Sequence, residues 1–68
     1  MQTITRFHGQ QDTDEMAYLA QVIDVDGYDA TVLDERPVTN GSGRLVGTEY
    51  TVSDETASFI AECIEATA

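Results

Sequence analysis

The stretch Thr13 to Asp34, TDEMAYLAQVIDVDGYDATVLD, decides how the chain folds. Its first half carries Met16, Leu19, Ala20 and Ile23 at i, i+3, i+4 and i+7, all on one face of a helix. Gly27 follows, a residue free to adopt the positive φ on which many helices stop. From Tyr28 the period changes to two. Tyr28, Ala30 and Val32 then point one way and Asp29, Thr31, Leu33 and Glu35 the other, which predicts a strand to about Val38. Asp26-Gly27 between alternating apolar residues is also a hairpin signal, with Tyr18 to Val25 as its first strand. Two features favour the helix. Asp12 with Glu15 three residues later makes a capping-box-like start, aspartate standing in for serine or threonine. In addition, Thr13-Asp14-Glu15-x-Ala17-x-Leu19 recurs as Ser53-Asp54-Glu55-x-Ala57-x-Phe59 at the head of a second amphipathic segment. The helix is therefore expected from Asp12 to Asp24.

Outward from this stretch, Met1 to Gly9 reads as a strand, with Thr3, Ile4, Thr5 and Phe7 supplying the propensity. A helix between two strands of one sheet predicts that those strands pair or neighbour in parallel. Arg36-Pro37 places the second strand at an edge, or ends it, because proline has no N–H for a ladder. Thr39-Asn40-Gly41-Ser42-Gly43 is the clearest turn, and it makes the strand from Arg44 to Val52 antiparallel to the one before. Val46, Tyr50 and Val52 share one face of that strand; Leu45, Gly47, Glu49 and Thr51 share the other. Ser53 then caps a helix with the stripe Ala57, Ile60, Ala61 and Ile64, widened by Phe59 and Cys63. The order is β-α-β-β-α: one α+β domain over residues 1–68, with two helices on one face of a three-stranded sheet. Met16, Leu19 and Ile23 are expected to meet Ile60 and Ile64 in the core.

A 68-residue domain buries only about 60% of the surface its unfolded chain exposes. One cysteine excludes an internal disulfide, and one cysteine with one histidine makes no zinc framework. No apolar run approaches membrane-span length, and with a lone Cys63 a reducing cytoplasm is the expected location. Charge dominates the composition. Thirteen acidic residues face three arginines and no lysine, for a formal charge of −10. That balance disfavours direct nucleic-acid binding, which rests on cations meeting phosphates, and favours a basic protein partner.

The chemistry-bearing constellations each have a plainer explanation. Asp24, Asp26 and Glu35 fall at the first, third and twelfth positions of a calcium loop. Tyr28 and Asp29 occupy the fifth and sixth, where an oxygen ligand and glycine belong, so no metal site is expected. His8 and Cys63 sit in different elements with no third group to orient them, and neither a catalytic pair nor a cofactor is expected. The best candidate surface is the uncovered face of the sheet. There Asp29, Glu35 and Glu49, with Asp24 and Asp26 at the preceding turn and Leu33 as apolar anchor, would meet a basic groove.

In size and acidity the chain resembles small phage-encoded inhibitors of host defence, the anti-CRISPR type, some of which imitate DNA. That resemblance implies a non-catalytic inhibitor whose carboxylates occupy the nucleic-acid-binding groove of a partner protein. The absence of lysine also resembles haloarchaeal small proteins, in which acidity is an adaptation to salt. An antitoxin-like assembly subunit is a third possibility. A homodimer through Leu33 and Leu45 fits the small core and the uncovered face.

Overall fold

Both long helices begin on a hydroxyl. The structure, a computed structural model, describes residues 1–67. Helix α1 (Asp14–Asp26) starts at Thr13, whose side chain accepts a hydrogen bond from the Met16 amide at 3.3 Å. The capping residue is thus Thr13 and not Asp12, because the Asp12 carboxylate turns instead to Arg6, 3.1 Å away. Helix α3 (Asp54–Thr67) starts in the same way, the Thr56 amide donating to Ser53 Oγ at 3.2 Å. The duplicated Thr/Ser-Asp-Glu start therefore marks two equivalent caps.

Strands β1 (Gln2–Phe7), β2 (Asp34–Thr39) and β3 (Leu45–Val52) form one antiparallel sheet in the order β1-β3-β2. The fold is α+β, with the helices packed against this sheet. Contrary to expectation, β1 and β2 are not neighbours, since β3 lies between them and pairs with both. The tight hairpin explains this. Asn40 holds the turn, its side-chain oxygen accepting from the amides of Ser42 and Arg44 at 2.9 and 3.1 Å, so β3 returns directly alongside β2. Pro37 leaves β2 fit only for an edge, and β1 takes the vacant side of β3.

The largest departure from the sequence reading is at residues 28–33. Tyr28–Thr31 is a single helical turn, α2, and β2 begins only at Asp34. Tyr28, Thr31 and Val32 also stand at i, i+3 and i+4, and it is Thr31 and Val32 that are buried. Burying two consecutive residues suits a turn of helix and not an alternating strand.

Ile4, Met16, Leu19, Val52 and Ile60 form the core, with Tyr18, Val22, Ile23, Tyr50, Ala57 and Ile64 packed around it. The expected partnership of Met16, Leu19 and Ile23 with Ile60 and Ile64 is present. Paired residues of antiparallel strands share a face, so the register sorts the sheet. Gln2, Ile4 and Arg6 with Val52, Tyr50 and Thr48 face the helices, and Glu35 and Pro37 stand on that side too. Thr3, Thr5, Phe7, Asp34, Arg36, Val38, Gly47, Glu49 and Thr51 face away, where no element among the described residues covers them. The molecule is elongated, 38 × 26 × 20 Å, with a radius of gyration of 12.4 Å. A spherical domain of this length would have about 11 Å.

Candidate functional site

Helix α1 ends in Asp24, Val25 and Asp26, with no basic residue in its last turn. Carboxylates here add to the negative end of the helix dipole, which costs a few tenths of a kcal/mol and concentrates negative potential. Gly27 stops the helix at φ 92°, ψ 152°, its N–H donating to Ile23 O at 2.8 Å. A side chain is strained in that backbone region, so the reversal into α2 depends on glycine. Asp29 sits in the first turn of α2. Tyr28 Oη donates to Glu35 Oε2 at 2.7 Å and ties α2 to the start of β2. That hydrogen bond to a carboxylate, with slight desolvation, pushes the Tyr28 hydroxyl up to about 12. At the edge, Arg36 Nε donates to Asp34 at 3.0 Å and, with the Glu35 amide, holds that carboxyl below its usual range.

Helices α1 and α3 run antiparallel. Tyr18 bonds Thr67 at one end, while Asp26 and Glu55 line one cleft with Ala30 and Thr56 at the other. Glu55 therefore joins the acidic end. Sequence reasoning missed it because Glu55 is remote in sequence from Asp26; the antiparallel pairing of the helices was the missing signal.

Of the six residues singled out from sequence, Asp24, Asp26, Asp29, Leu33 and Glu35 lie along the path from the end of α1 through α2 into β2. Leu33 just precedes β2, 53% exposed, with its amide donating to Thr51 O at 2.8 Å. Glu49 lies apart from them on the uncovered face, opposite Thr5 and Arg36. The single acidic sheet face drawn from sequence is thus corrected. Asp29 and Thr31 belong to a helical turn, Thr31 is buried, and Glu35 shares the helix side with Tyr50. The uncovered face is nearly neutral, its charges being Asp34 paired with Arg36, and Glu49.

Among the described residues no group of three or more His, Cys, Asp and Glu side chains is placed to hold a metal ion. Cys63 is half-buried and lines a shallow cavity with Tyr18, Val22 and Phe59, and His8 lies in an exposed turn after β1. No described helix is long and apolar enough to cross a membrane. Compared with family models, with curated proteins and with solved structures, the chain matches none.

Proposed function

We propose that this chain is a non-catalytic acidic binding protein that occupies the basic, nucleic-acid-binding surface of a partner protein, in the manner of the small phage-encoded inhibitors it resembles. Asp24, Asp26, Asp29 and Glu35, joined by Glu55, are the leading contacts, with Leu33 as an apolar anchor at their margin. The observation that supports this reading is the uneven distribution of charge. Nearly all of the formal −10 lies on the helix layer and its ends, while the uncovered sheet face is close to neutral. Adaptation to salt spreads carboxylates over every exposed face and gives no reason for such an asymmetry.

The test begins with a basic protein retained from host lysate by the immobilised chain and then purified. Binding should weaken as salt rises, because screening removes the long-range attraction. Duplex nucleic acid should compete with the chain, and the combined variant D24N/D26N/E35Q should bind at least tenfold more weakly. A stable ternary complex with nucleic acid, or unchanged binding by the triple variant, refutes the proposal. Unfolding of the free chain on removal of salt would favour the salt-adapted reading instead.

A further inference from the structure

The two edges of the sheet differ sharply. Edge strand β2 carries Asp34, Glu35, Arg36 and Pro37, the charges and proline that block addition of another strand. Edge strand β1, QTITRF, has no proline and no carboxylate. The phase of its ladder is set by His8 N–H donating to Val46 O at 2.9 Å and by the pairing of Ile4 with Tyr50. Even-numbered residues of β1 therefore bond to β3, and the N–H and C=O groups of Thr3 and Thr5 point outward. They meet no partner among the described residues.

Beside this edge runs a half-open groove of about 540 Å³. Gln2, Thr3 and Ile4 all line it. Gln2 and Ile4 stand on the helix side of β1, and Thr3 between them also borders the groove, which therefore runs alongside this strand. Its far wall is the flank of α3, with Ala57, Ala61 and Ile64. Glu15 and Glu65 stand at the rim, together with Asp54, which pairs with the Met1 amino group at 2.9 Å.

We propose that β1 and the flank of α3 accept an extended basic segment of a partner protein as a fourth strand of the sheet. Thr3 and Thr5 supply the main-chain hydrogen bonds. Alternate apolar side chains of the segment enter the groove against Ile4, Ala61 and Ile64. Its lysines or arginines meet Glu15 and Glu65. The sign of the rim, on a chain that already carries −10, selects a basic occupant over a second copy of this chain. The inference rests on the preceding reading only for the partner's charge, and it names a different contact.

The probe is a capped peptide of alternating valine and lysine, titrated into isotope-labelled protein. Its binding should shift the Thr3 and Thr5 amides and slow their exchange with solvent. The valine–glutamate counterpart should not bind. Thr5→Pro removes an outward N–H and no ladder bond, and Ala61→Arg fills the groove with like charge while keeping a good helix former. Each should weaken peptide binding at least tenfold with the circular dichroism spectrum retained. Should Thr5→Pro unfold the chain, Ala61→Arg alone decides. Undiminished binding by both variants, or shifts confined to the end of α1 and α2, overturns the proposal. So does concentration-dependent protection of Thr3 and Thr5 without peptide, since a second copy then fills the edge. A partner that binds the groove variants normally but loses D24N/D26N/E35Q overturns the groove and leaves the acidic end standing. One that needs the groove yet binds together with nucleic acid does the reverse.

Discussion

The two faces of this small sheet are built by different rules. On the helix side Ile4, Tyr50 and Val52 meet Met16, Leu19 and Ile60, and the chain holds what core it has there. On the other side Thr3, Thr5, Glu49 and Arg36 are joined by an apolar end at Val38 and Phe7, the latter 44% exposed. Stability thus comes from one face, and the composition of the other is left free. The same division separates charge from neutrality, because the acidic residues crowd the helix layer that also makes the core.

Five measurements sharpen or break this contrast. The largest effect is expected from Leu19→Ala, which empties a fully buried site and should cost about 2–5 kcal/mol in denaturant unfolding. Glu49→Gln, on the uncovered face, should change stability by no more than about 0.5 kcal/mol. Gly47→Ala is the exception built into the open face. A Cβ there would lie 2.5 Å from the carbonyl oxygen of Arg6 across the strand pair, so a loss of about 1–3 kcal/mol is expected. A neutral Gly47→Ala would mean that β1 and β3 can part locally at no cost.

Thr31→Val should act in the opposite direction. The Thr31 hydroxyl is buried and has no hydrogen-bond partner among the described residues, and removing it should stabilise the fold by about 1 kcal/mol. The corresponding rise in Tm is about 4–8 °C. The smallest effect is spectroscopic. One of the three tyrosines should ionise at about 12 instead of 10, and Glu35→Gln should return it toward 10. The folded state holds that proton more tightly than the unfolded chain does. Its contribution to stability is therefore complete below pH 10 and is lost as pH rises through 12. A Tyr28 hydroxyl that titrates near 10 would show that the Tyr28–Glu35 bond does not persist in solution.

Periodicity carried most of the fold. The shared Thr/Ser-Asp-Glu start, the alternation of β3 from Gly47 to Val52 and most of the α1 and α3 stripes are local patterns that survive in the structure, although Ala20, Phe59 and Ala61 stay exposed. What failed was the short run after Gly27. Tyr28, Ala30 and Val32 fit a period of two, while Tyr28, Thr31 and Val32 fit a turn of helix, and packing against α1 decided between them. Because strand parity is exact, starting β2 at Asp34 severed the count from Tyr28 and moved Glu35 to the helix side. The candidate site inherited that error. Five of its residues follow one another from the end of α1 into β2, and Glu49, assigned by face alone, stands apart from them. The groove beside β1 left no trace in the sequence, since Ile4, Glu15 and Ala61 come from three separate elements.

The strand order β1-β3-β2 also sets the sequence of events in folding. β2 and β3 are joined by a short hairpin and can zip together with little loss of chain entropy. β1, made before the other two strands of the sheet, pairs among the described residues with β3 alone, after both the helical segment and the hairpin have been made. Its closure is the most non-local step in the fold. During that wait Ile4 has no core to enter, so pulse-labelled hydrogen exchange should find the hairpin amides protected before those of Ile4 and Arg6.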